Sequence, residues 1–168
     1  CNHPLLPVMR LVNIDTGVEK LQLAYRKGKQ WRHVIAEKKV LASNNAILDL
    51  ANVGIAVTSE NAKYLVQYLH DIEAMNYDRI PERNSVSRFG WIHGEGFSPY
   101  VENLVYDGES NFKGLFDSVR QQGTFEKWLD TAKKVRSGDS IPARAILAAS
   151  FASPLVTLSE ALSFFVHL

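Results

Sequence analysis

The residues best suited to chemistry lie between positions 26 and 39. Arg26, Lys27, Lys29, Arg32, Lys38 and Lys39 put six bases into 14 residues against one acid, Glu37, and Trp31 stands among them. Cationic side chains contact phosphates and an indole face stacks on an unpaired base, which together hold a single strand without reading its sequence. The competing account is a solvated hairpin tip. Trp31 alternates in phase with Ile35, and the reading favours that face as the one turned to the core. A second set, Arg79, Arg83 and Arg88, surrounds Pro81. Glu73, Asp78 and Glu82 are close enough in sequence to pair with these arginines, and pairing is the preferred account, although Arg83 and Arg88 are kept as candidate contacts. Lys133, Lys134 and Arg136 close a helical pattern, where cations favour the helix dipole.

Other chemistries find little support. His93-Gly94-Glu95 is the one close His and carboxylate pairing with an acid/base outline, and a glycine-rich hairpin turn is its preferred explanation. An enzyme centred on His93 and Glu95 would need a pocket there and a perturbed pKa. The five histidines show neither H-x-x-x-H nor H-x-x-E-H spacing, and no G-x-S-x-G elbow occurs. Asp49 follows Ile47 and Leu48 as a Mg²⁺-holding Asp can, but inside a helical pattern. No catalytic or metal-binding residue is therefore assigned.

Composition bounds the rest. The chain has 168 residues, 19 Lys+Arg against 18 Asp+Glu, and is 46% hydrophobic, which suits one soluble domain or two small ones with a buried core. A formal charge of +1 gives no global reason to name a polyanion as partner, so any such case is local. The single Cys1 allows no internal disulfide and no thiolate cluster, which suits a reducing cytosol. Cys1 stands where Met is usual, and no basic segment leads into an apolar one, so the reading expects a cytoplasmic fragment. Residues 145–159 carry no charge, yet 15 residues interrupted by Pro154 fall short of a membrane span.

The elements that must position these residues are α+β in pattern. Residues 8–14 are extended, residues 15–17 turn, and Leu21, Leu23 and Tyr25 alternate with polar or small neighbours as a half-buried strand does. Residues 26–29 turn into a third strand. Ser43 caps a short helix through Ile47 and Leu50, closed by Gly54, and residues 55–57 make an edge strand. Thr58 or Ser59 caps a longer helix with Ala62, Leu65, Val66, Leu69 and Ile72 on one face. As a recognition helix it is unsuited, because Glu60, Asp71 and Glu73 would repel phosphates. Residues 78–86 read as a loop or linker, and residues 87–92, 97–101 and 104–106 as a second β region. Thr124 caps a helix carrying Phe125, Trp128, Leu129, Ala132 and Val135; Ser140 and Pro142 start another, and Ser153-Pro154 a third reaching about Leu162. The apolar run 163–168 reads as a strand. This divides the chain into 1–78, 79–122 and 123–168.

Phe89-Gly90-Trp91, the segment Gly123-Thr-Phe-Glu-Lys-Trp128, the alanine-rich residues 143–155 and the run Phe164-Phe-Val-His-Leu168 together resemble domain of unknown function 927. The resemblance extends over nearly the whole chain, loosely in the first 40 residues and best from Phe89. It implies a place among helicase-like or primase-associated proteins of phages, plasmids and other mobile elements, whose later half carries a P-loop ATPase. Here no G-x-x-x-x-G-K-[ST] occurs, and around Gly28-Lys29 the flanking positions hold Leu23 and Gln30. The resemblance therefore implies a non-catalytic α+β segment preceding the motor, with ATP and Mg²⁺ belonging only to a downstream ATPase domain in cis. The expected partner is DNA, held by the basic hairpin and by Trp31, Arg83 and Arg88. The rival is a protein-interaction or homo-oligomerisation module working through the small residues of 143–152 and the apolar end.

Overall fold

The computed structural model describes residues 3–162. It is α+β. The first strands follow from period-2 alternation: β1 (Leu5–Asn13), β2 (Glu19–Lys27) and β3 (Gln30–Glu37) form an antiparallel meander. A one-residue shift in register between Pro7 and Met9 marks a bulge in β1, where Pro7 has no N–H to give. Residues 78–86, expected as a linker, instead contain β4 (Glu82–Val86), which lies parallel to β1. Its Glu-Arg-Asn start has no apolar alternation, so only pairing with a strand some 70 residues distant in sequence makes it a strand. β7 (Val105–Tyr106) adds in parallel beside β4, giving the order β3-β2-β1-β4-β7. The chain between them forms a separate hairpin, β5 (Gly90–Ile92) and β6 (Gly96–Ser98), with residues 93–95 in its turn as expected.

The core lies on one face of the five-stranded sheet. Leu5, Leu21, Leu23, Tyr25 and Ala36 pack there against Leu41, Ile47, Leu50, Ile55, Val57, Ala62, Leu65 and Leu69. The covering layer is α1 (Lys38–Leu41), a 3₁₀ segment at Ala46–Val53 and α2 (Ala62–Met75). Ser43 caps that segment as expected, its Oγ accepting from the Ala46 N–H at 3.3 Å, but the segment is 3₁₀ rather than α-helical. Gly54 ends it at φ 93°, a left-handed conformation glycine takes without steric cost. Residues 55–57 form no strand, although Ile55 and Val57 are buried. The residue before α2 is Asn61 rather than Thr58 or Ser59; its side chain caps no helix N–H, and its Oδ1 instead accepts from the Thr58 N–H at 2.9 Å.

Two compact units make up the chain. The sheet, its helices and Glu102–Lys113 form the first; Phe89–Val101 and the chain from Gly114 onward form the second. No element is expected at residues 110–118, where α3 (Ser110–Ser118) lies. In the second unit, α4 (Phe125–Ser137) and α5 (Ile141–Ala152) begin at the expected caps, Thr124 and Ser140, whose hydroxyls accept from the N–H groups of Lys127 and Ala143. The third helix is reduced to a 3₁₀ turn at Ser153–Leu155 followed by further turns. The Trp91 indole N–H donates to the Pro154 carbonyl in the same unit. The strand expected at 163–168 lies outside the described residues.

Candidate nucleic-acid interface

The register of β2 on β3 decides which side chains the basic run presents. Leu21 pairs with Ala36, Leu23 with Val34 and Tyr25 with Arg32, so these residues face the helical layer. Trp31 and Ile35 do share a face, but it is the other one: Trp31 stands opposite Arg26. The expectation that Trp31 packs into the core is corrected accordingly, since the indole is 51% exposed. β3 is the last strand of the sheet, so the tip of the β2–β3 hairpin has a neighbour on one side only.

The six bases do not make one patch. The eight residues of β3 separate Lys29 from Lys38, roughly 30 Å at the usual strand rise. Lys38 lies at the far end of the sheet between two carboxylates, 2.8 Å from Glu73 and 3.4 Å from Glu19. Burial works against its charge, but the hydrogen bond and field of Glu73, with those of Glu19, outweigh it and hold the ammonium above its ordinary pKa. Lys39 pairs with Glu37 at 2.6 Å, and that hydrogen bond holds the Glu37 carboxyl below its ordinary value. At the tip the picture differs. Arg26, Lys27, Lys29 and Arg32 are all exposed, and among the described residues none has a carboxylate within 4.0 Å. The Arg26 Nε–H donates to the Gly28 carbonyl at 3.2 Å, which sets the guanidinium at the turn. The Lys27 stem lies over Gly54, where an added Cβ would stand 2.6 Å from Nζ.

The second arginine set divides as well. Arg88 clamps Asp15 through two hydrogen bonds of 2.7 and 2.8 Å, a forked geometry that fixes both side chains. Arg83 is exposed on β4, paired with Leu11 and separated from β3 by β1 and β2. The structure thus brings Arg26, Lys27, Lys29, Trp31 and Arg32 together, and places Lys38, Lys39, Arg83 and Arg88 elsewhere. His93 and Glu95 are both exposed on the β5–β6 turn.

A buried polar node went unread in the sequence. Asn13 and Ser85, neighbours in register on the parallel strands β1 and β4, meet Asp107 just beyond β7. Asp107 is 5% exposed and accepts from the Ser85 hydroxyl at 2.7 Å, from the Asn13 amide at 3.2 Å and from the Lys20 ammonium at 3.2 Å. Lys20 also donates to the Asp107 carbonyl at 2.9 Å, and the Asn13 Oδ1 accepts from the N–H groups of Asp15 and Thr16. With each partner satisfied, the node ties four strands together at one end of the sheet, as buried polar networks do when complete. Separations of 22 and 94 residues explain why no local pattern announced it. Among the described residues no group of three or more His, Cys, Asp and Glu could hold a metal ion.

Fold and site together define an α+β module that presents a basic hairpin tip, without a carboxylate partner among the described residues, and an exposed indole. Across residues 1–168 the chain matches the model of the family described as Domain of unknown function (DUF927) and belongs to that family. A comparison with curated proteins finds no match. Among the described residues no helix is long and apolar enough to cross a membrane.

Proposed function

We propose that this chain is a non-catalytic nucleic-acid-binding module of a helicase-like or primase-associated protein, holding DNA or orienting an ATPase domain in cis. One observation carries the reading: four bases stand at the β2–β3 tip with no carboxylate within 4.0 Å among the described residues, and the Trp31 indole of the same tip is half exposed. Unpaired cations release counterions when they meet phosphates, whereas bases already neutralised by protein carboxylates gain less. The helicase and primase association comes from the resemblance alone. The test is fluorescence anisotropy of labelled single-stranded and double-stranded DNA at low and at physiological salt. Binding by single strands that weakens with salt and vanishes in a Lys27→Glu, Lys29→Glu, Arg32→Glu variant supports the module; absence of binding at low salt removes it.

A second reading has its own support. No residue of α4 or α5 is buried. Phe125 stacks on Trp128 at 5.7 Å between ring centroids, and Phe151 meets Trp128 edge-on at 5.8 Å, yet all three rings stay exposed. A helix pair that leaves its aromatic cluster in water has the character of an interaction surface. On this reading the chain is a protein-interaction or oligomerisation module, and its association would persist in high salt.

A further inference from the structure

The helical-layer face of the sheet holds a feature absent from the basic run. A cleft of about 390 Å³ opens between the start of β1 and the first turns of α2, lined by His3, Leu5, Ala56, Asn61, Tyr64 and Tyr68. Its size falls in the range of small-ligand sites. Its aromatic wall is partly fixed: the Tyr68 hydroxyl donates to the Leu5 carbonyl at 2.8 Å, which anchors the ring while leaving it 41% exposed. Tyr64 lies one turn earlier, 66% exposed, with the Lys63 ammonium 4.8 Å from its ring centroid. Polar capacity is left over as well. The Nε2 of His3 is buried without a hydrogen-bond partner, and Asn61 uses only its Oδ1, leaving its amide N–H groups without a partner among the described residues. Flat apolar walls with free donors and acceptors at the edge are what a nucleobase requires.

The cleft and the basic tip share one end of the sheet. The Arg26 N–H donates to the Pro4 carbonyl at 3.1 Å, Leu5 pairs with Tyr25, and Tyr25 pairs with Arg32. The Tyr25 hydroxyl donates to the Val53 carbonyl at 2.7 Å, next to the Gly54 over which Lys27 lies. Lys27 and Arg32 therefore flank the same end and the same face of the sheet as the cleft, whereas Trp31 is on the opposite face. Glu60 precedes α2 in the turn before Asn61, while on the helix itself Asp71 is two turns beyond Tyr64 and Glu73 is paired with Lys38.

We propose that this cleft receives one unpaired base of a single strand whose phosphates lie over Lys27 and Arg32. The inference rests on the nucleic-acid reading above. The test compares wild type with Tyr64→Ala for binding of a labelled oligothymidylate and of an abasic oligomer of the same length. Tyr64→Ala is expected to weaken oligothymidylate binding about tenfold, the order of one lost stacking contact, with its salt dependence and melting temperature unchanged. The abasic strand is expected to bind both proteins equally. Equal oligothymidylate affinity in wild type and Tyr64→Ala, with binding still lost in the Lys27→Glu, Lys29→Glu, Arg32→Glu variant, overturns the cleft and leaves the basic interface standing. A loss that is the same on the abasic strand overturns it too, because the effect then does not pass through a base. Failure of wild type to bind either oligomer at low salt removes the cleft and the interface together.

Discussion

Asp107 and Asp15 show how differently two carboxylates with basic partners can matter. Removing Asp107 leaves the Lys20 ammonium, whose side chain is 14% exposed, without a counter-ion and strips acceptors from Ser85 and Asn13. Asp107→Ala is expected to cost about 3–5 kcal/mol, as breaking a buried ion pair does, read from urea unfolding midpoints. Asp15→Ala loses a clamp on an Arg88 that is 48% exposed, and is expected to cost under about 1 kcal/mol in the same measurement. Next to this node, burial pushes the Tyr106 phenol above its ordinary pKa, with the carboxylates of Glu109 and Asp107 adding to the shift. A raised folded-state pKa means the fold holds the proton more tightly than the unfolded chain. The stabilisation is fully present below the unfolded phenol value of about 10 and is lost as pH rises through the folded one. Urea midpoints measured upward from about pH 9 should therefore fall more steeply in wild type than in Tyr106→Phe.

At the scale of elements, what was legible depended on whether the signal was local. The β1–β3 meander showed in the alternation of Leu21, Leu23 and Tyr25, and the starts of α4 and α5 showed in Thr124 and Ser140. β4 did not show, because Glu82, Arg83 and Asn84 carry no strand pattern and acquire their partners from β1, while β7 pairs with Ser85 and Val86. The phase of Trp31 was readable but not the face it opened onto, since that depended on which side α2 would cover. The cleft drew His3, Ala56, Asn61 and two tyrosines from three separate segments, so no motif linked them. The caps offer a direct test. Thr124→Ala and Ser140→Ala each remove one acceptor worth about 1 kcal/mol. Since neither helix has a buried residue to compensate, amide exchange along α4 and α5 is expected to accelerate several-fold, with the sheet unaffected.

For the whole molecule, a net charge of +1 conceals an uneven distribution. Lys20, Lys38, Lys39 and Arg88 are neutralised by nearby carboxylates, while Arg26, Lys27, Lys29 and Arg32, at a single hairpin tip, have no carboxylate partner among the described residues. That asymmetry is the central claim, and the salt dependence of binding measures it most directly. If the four tip bases contact phosphates, the logarithm of the affinity for single-stranded DNA should fall against the logarithm of salt with a slope of about −3. The Lys27→Glu, Lys29→Glu, Arg32→Glu variant should show no measurable binding, and a Lys38→Gln, Lys39→Gln variant should keep the wild-type slope. A slope near zero, or one that the tip substitutions leave unchanged, contradicts the account.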